Sequence, residues 1–148
     1  MQRGLLALRR RMLPAAAAVA IEGGNFVIVS VGTMTKASAR KIKASVNDAD
    51  LPEGYVQNSV MLFARVSRNF PNAESYGVIT IPFLTRKDGQ PVPWEHDGNA
   101  NAQSLMTALG RSDVGFWSWS WQGMPQASEE DLVAVVEWAR KCVREGAK

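Results

Sequence analysis

The chain has 148 residues, 46% of them hydrophobic and 21% charged, with a formal net charge of +3. This composition excludes a disordered or fibrous chain, and the length suits one domain with a sizeable core. The single cysteine, Cys142, excludes an intrachain disulfide and with it the framework of small secreted scaffolds.

The charge is unevenly placed. Residues 1–20 hold Arg3, Arg9, Arg10 and Arg11 and no acid, so they contribute +4 and leave −1 for the rest. A second cluster, Lys36, Arg40, Lys41 and Lys43, contributes another +4, which leaves the remaining body at −5. Residues 1–24 therefore read as a basic N-terminal extension, targeting-like or an arm, and 25–148 as a single domain. Leu5, Leu8 and Met12 share a helical face from which Arg3, Arg10 and Arg11 point away, a pattern that resembles a mitochondrial transit peptide. A mitochondrial location is the expectation. Two alternatives stay open: an exported bacterial protein, because the arginines precede an Ala-rich stretch ending in Ala18-Val19-Ala20, or a cytoplasmic one if translation starts at Met34. No transmembrane segment is expected, since Glu22-Gly23-Gly24-Asn25 interrupts the longest apolar stretch before it reaches the roughly 18 residues a span needs.

Asn25 to Val31 is a β-branched, aromatic run bounded by Gly24 and Gly32, which predicts a buried strand. Thr35 to Val46 suits a helix with Thr35 as its N-cap, followed by the turn-rich stretch Asn47 to Gly54. Ser59–Ser67 and Tyr76–Leu84 predict two strands paired antiparallel, with Pro82 at a bulge, a strand end or an edge. Thr85 to Gly98 reads as loop, punctuated by Asp88-Gly89, Pro91 and Pro93. Asn99 to Leu109 predicts a helix that Gly110 stops, and Val114 to Trp121 a strand. A last helix starts at Ser128, paired with Asp131 in a capping-box-like arrangement. It docks through Leu132, Val135, Val136, Ala139 and Val143. The order β-α-β-β-α-β-α predicts an α+β fold, a ferredoxin-like split β-α-β-β-α-β antiparallel sheet with an added C-terminal helix.

Residues that could carry chemistry are few. His96 is the only histidine, so a multi-histidine zinc site and a pair of histidine bases are excluded. In Trp94-Glu95-His96-Asp97 neighbouring side chains alternate direction if the segment is extended, and His96 reads as a solvated loop histidine. Cys142 falls on the inward side of the last helix, where a thiol behaves as a small hydrophobe with a raised pKa. No nucleophile elbow, Walker loop or dinucleotide fingerprint is present, so no catalytic residue, cofactor or metal is assigned.

Period-2 geometry puts Trp117, Trp119 and Trp121 on one strand face with Phe116 and the serines opposite. They form either the core beneath the helices, the commoner fate of buried aromatics, or a platform for a base, a sugar or a partner. Lys36, Arg40 and Lys43 lie near one face of the predicted helix and are the candidates for phosphate contact.

Tyr76-Gly77-Val78-Ile79-Thr80-Ile81 and Phe26-Val27-Ile28 resemble fragments of the RNA-recognition motif family, across the β-α-β-β-α-β body. In that family aromatics on the two central strands stack bases, which implies that role for Tyr76 and Phe26. The leading functional expectation is a non-catalytic accessory subunit or assembly protein of a larger, organellar complex, with protein partners or a homo-oligomer. The alternative is a nucleic-acid-binding module that uses the sheet aromatics and the basic helix. A small oligomeric ferredoxin-like enzyme stands third.

Overall fold

The computed structural model describes residues 17–22, 26–41, 48–67, 76–120 and 133–148. Its strands are β1 (Ala17–Glu22), β2 (Phe26–Thr35), β3 (Asp48–Asp50), β4 (Ser59–Ser67), β5 (Tyr76–Ile81), β6 (Glu95–Asp97) and β7 (Gly115–Ser120). Its helices are α1 (Gln103–Leu109) and α2 (Val133–Gly146). The fold is mixed α+β, as the element pattern predicts.

Six strands form one sheet in the order β1-β2-β4-β5-β7-β6, antiparallel at every step, and β3 adds a short parallel pairing to β2. The four strands expected from the sequence thus lie in chain order, each beside the next, rather than in the split order of a ferredoxin-like sheet. In the split order a helix must cross between the first two of these strands so that others can be inserted. Here β2 and β4 pair directly along their whole length, from Phe26 opposite Ser67 to Thr35 opposite Ser59.

The helix expected over 35–46 is the reason the split order was expected, and its described part is different. Thr35 ends β2, Lys36 is extended, and only Ala37–Ala39 makes a single 3-10 turn before Arg40 is extended again. Residues 42–47 lie outside the described residues. Tertiary contacts outweigh helix propensity here: Lys36 sends its ammonium to the Tyr55 carbonyl, and Arg40 pairs with Asp48 and Asp50 of β3.

Three strands lie where none was expected, β3 falling within the expected turn-rich stretch 47–54. Ala17–Glu22, within the sequence assigned to the basic extension, pairs with β2 from Ala17 opposite Ser30 to Glu22 opposite Phe26. Glu95–Asp97, within the expected loop, pairs with β7 as the sheet's other edge. Elsewhere the sequence-based boundaries hold to within a few residues. β5 ends at Ile81, with Pro82 just beyond it behind a cis peptide bond. Gly110 closes α1 in the left-handed conformation, its N–H donating to Met106 O. The expected cap at Ser128 and the docking residue Leu132 lie outside the described residues.

Helices cover both faces of the sheet, which is why its strands read as continuous apolar runs. One face buries Val27, Val29, Leu62, Val78 and Trp117 in a cluster with Val135, Val136, Trp138, Ala139, Cys142 and Val143 of α2. The other buries Ile28, Phe63, Ile79, Ile81 and Phe116 with Leu105 and Met106 of α1. Each large apolar side chain taken fully out of water contributes on the order of 1.5–3 kcal/mol before ordering costs. Among the described residues no helix is long and apolar enough to cross a membrane.

Candidate functional site

The residues singled out in the sequence separate onto the two faces of the sheet. Trp117 is wholly buried beneath α2, its indole N–H donating to Thr80 Oγ1 at 3.1 Å, so it has no surface to present to a partner. Trp119 is half-buried at the margin of the same cluster, its ring 5.1 Å from that of Trp94 in an edge-on arrangement. Trp121 lies outside the described residues. Core packing is thus what the period-2 row achieves at Trp117, because α2 covers that face.

Phe26 and Tyr76 sit on the opposite face. Their strands are not neighbours, as the resemblance implies they should be, because β4 runs between them and places Arg65 in the gap. The Arg65 guanidinium lies 3.8 Å from the centroid of the Phe26 ring and 5.8 Å from that of Phe116, and it donates to the Tyr76 carbonyl at 3.1 Å. Tyr76 packs on Phe116 with ring centroids 6.3 Å apart and remains 40% exposed. Gly77 makes this possible. It sits where the β5–β7 register shifts, at φ +102°, and a Cβ there would stand 2.8 Å from the Phe116 ring and 3.2 Å from Arg65 Cδ. One row along the same face, His96 on the edge strand meets the Ser118 hydroxyl at 2.8 Å.

The cations proposed for phosphate contact are engaged elsewhere. Lys36 is 3% exposed and donates to Tyr55 O, while Arg40 is held by Asp48 at 3.0 Å and by Asp50. Lys43 lies outside the described residues. A buried ammonium that satisfies a buried carbonyl is a structural contact. Lys36→Met is therefore expected to lower stability by about 1–3 kcal/mol in urea melts, since it strands the Tyr55 carbonyl, and to leave any nucleic-acid retention unchanged.

Of Glu95, His96 and Asp97, the structure turns His96 outward and Glu95 inward, as alternation along an extended segment requires. Asp97 accepts from Asn99 N and caps the turn that leads to α1. Glu95 crosses the strand end to accept from Leu84 N at 2.8 Å and to meet Thr80 Oγ1 at 3.5 Å through Oε2, while Oε1 is buried without a hydrogen-bond partner. Gly115 permits this, because a Cβ there would stand 2.4 Å from Oε2. Burial pushes the Glu95 carboxyl up to about 8, only partly offset by the Leu84 and Thr80 hydrogen bonds. Burial likewise raises the Tyr55 hydroxyl, which donates to Val143 O at 2.6 Å, and the Cys142 thiol. The Glu95 charge adds to both shifts.

Glu95 lines a cavity of about 380 Å³ whose walls include Phe83, Leu84, Arg86, Pro91 and Val92. Arg86 is spanned by Asp88, at 3.1 and 2.6 Å, and donates also to main-chain oxygens of Gly146 and Lys148. Beside Glu95 in the chain, Trp94 has φ +66°, a conformation costly for a bulky side chain, and is 42% exposed. Sequence reasoning had the segment but not this outcome: nothing local to Glu95 signals that Leu84 and Thr80 will meet it. Among the described residues no three His, Cys, Asp or Glu side chains converge to hold a metal ion.

The chain is thus a mixed α+β protein with an aromatic–guanidinium cluster on one sheet face and a carboxyl-bearing cavity at one end. Comparison with protein-family models, curated proteins and solved structures found no match to it.

Proposed function

We propose that this protein is a non-catalytic accessory subunit or assembly factor of a larger complex, directed to mitochondria by its basic N-terminal residues. The observation that carries the reading is the cluster of Phe26, Arg65, Phe116 and Tyr76, in which an exposed tyrosine and an arginine frame a buried ring. Tyrosine and arginine dominate interface hot spots because they combine large contact area with directional polar groups at little entropic cost. Gly77 and the cation–π contacts hold the cluster in place before any partner arrives, which lowers the ordering cost of association.

The test compares affinity purification of the tagged full chain with its Tyr76→Ala variant, whose lost packing on Phe116 should cost about 1–2 kcal/mol of stability and leave the chain folded, as urea melts would check. Recovery of a stoichiometric protein partner should fall about 30-fold, the equivalent of about 2 kcal/mol at a hot spot. An unchanged partner set in Tyr76→Ala would sink the reading.

A second reading, a single-strand nucleic-acid module, is favoured by the same aromatics, which flank a guanidinium as a stacking platform does. It requires retention on single-stranded nucleic acid at low salt that Tyr76→Ala abolishes and added salt weakens steeply.

A further inference from the structure

We propose that the cavity lined by Phe83, Leu84, Arg86, Pro91, Val92 and Glu95 is a binding site for a small organic cation, an ammonium on an aromatic or branched apolar body, with Glu95 as its counter-ion. This inference is independent of the partner surface proposed above, which is built on Phe26, Arg65, Tyr76 and Phe116 and shares no residue with the cavity.

The cavity's volume of about 380 Å³ falls in the range of small-molecule sites, and its walls are largely apolar. Its two charged side chains differ in what they still lack. Arg86 makes hydrogen bonds through all three guanidinium nitrogens, to Asp88 and to main-chain oxygens of Gly146 and Lys148, and Asp88 balances its charge. Glu95 has no ion pair among the described residues, and its Oε1 is buried with no donor. A cationic N–H donor would supply the partner that the Glu95 carboxylate lacks, whereas an anion would find the one guanidinium already taken. Phe83 on the wall is 37% exposed and presents an aromatic ring to the same space, the partner that ammonium groups favour after a carboxylate.

Among the described residues, the titratable and charged groups within electrostatic reach of Glu95 are Tyr55 ahead of β4, Cys142 on α2 and Arg86 on the cavity wall. Burial keeps Tyr55 and Cys142 neutral, and Arg86 stays charged against Asp88, so Glu95 is the group whose ionisation sets the cavity's charge near neutral pH.

The experiment titrates the full chain with benzylamine and follows the Leu84 amide by NMR, because Glu95 accepts that N–H. Benzylamine stays protonated throughout, so the wild-type affinity should tighten about tenfold per pH unit from about pH 6 to about pH 7.5 and level off above about pH 8, where Glu95 has lost its proton. Benzyl alcohol, of the same shape without charge, should bind at least about tenfold more weakly, and Glu95→Gln should remove both the binding and its pH dependence. No saturable shift at about pH 8.5, binding that does not tighten with pH, or a preference for benzoate that weakens with pH would each overturn the proposal. The wild-type pH series decides the matter even where the variant folds poorly.

Discussion

Trp117→Ala is expected to lower the unfolding free energy by about 3–5 kcal/mol, the largest effect of any single truncation considered for this chain. The side chain is wholly buried, lies against Gly146 of α2 so closely that a Cβ there would stand 2.6 Å from its ring, and shares that corner with the Tyr55 hydroxyl. Truncation opens a cavity where helix, sheet and the Tyr55 turn meet, and it also leaves the Thr80 hydroxyl without its indole donor. Because a domain has roughly 5–15 kcal/mol of stability in all, the melting temperature should drop by about 10–15 °C. Trp119→Ala, two residues along the same strand face, is the internal control. That ring is half-buried at the cluster's margin and should cost no more than about half as much. Equal losses for the two variants, read by thermal melts, would refute the assignment of Trp117 as the packed centre and Trp119 as rim.

The second large effect is a pH dependence that Glu95 imposes. In the unfolded chain its carboxyl loses its proton in the ordinary glutamate range near 4.3, whereas in the fold it keeps it until about 8. Between those values the native state binds more protons than the unfolded state, so stability must fall as pH rises through this window and become flat above it. Below about pH 4 the group contributes no slope. The slope approaches about 1.4 kcal/mol per pH unit inside the window, and because the side chain is part-exposed we expect roughly half of the total that the full window would give. Glu95→Gln keeps the acceptor for Leu84 N without the titrating group. The variant should match the wild type at about pH 4.5 and exceed it by roughly 1–3 kcal/mol at about pH 8.5. Stability curves for the two proteins that run parallel across this range would show that Glu95 is not held neutral by the fold.

Both predictions depend on side chains whose surroundings come from distant parts of the chain, and this separates what could be read from what could not. The runs Phe26–Val31, Ser59–Ser67 and Gly115–Ser120 announce strands because β-branched and aromatic side chains crowd each short segment. The stripe Val135, Val136, Ala139 and Val143 announces a docked helix because residues three and four apart share a face. Trp138, wholly buried with its indole N–H on Ser120 O at 2.8 Å, escaped that stripe, since a broad helical contact takes in positions beside the simplest periodic set. β1 escaped altogether. Its alanines have little strand preference, and the edge of β2 supplies the pairing.

The candidate site was legible only as a list of residue types. Trp94-Glu95-His96-Asp97 stood out, and alternation correctly sends Glu95 and His96 to opposite sides. Which of them would be buried depended on Leu84, Thr80 and Gly115 arriving from other elements. Phe26 and Tyr76 were named as a pair, but Arg65, which joins them, lies on a strand that the expected split order does not place between them. The basic residues Lys36 and Arg40 were candidates for phosphate contact and are instead anchored to Tyr55, Asp48 and Asp50.

By itself, then, the sequence determined where β2, β4, β5, β7 and the C-terminal helix lie, that Gly110 ends a helix, and that the thiol of Cys142 points inward. All of these follow from interactions between residues close in the chain. The order of strands, the division of the aromatics between a core and a surface cluster, and the burial of one carboxyl in a cavity wall were decided only by the tertiary structure. Strand pairing, desolvation and hydrogen bonding between distant residues are properties of the assembled sheet, and no local pattern encodes which partner will be there.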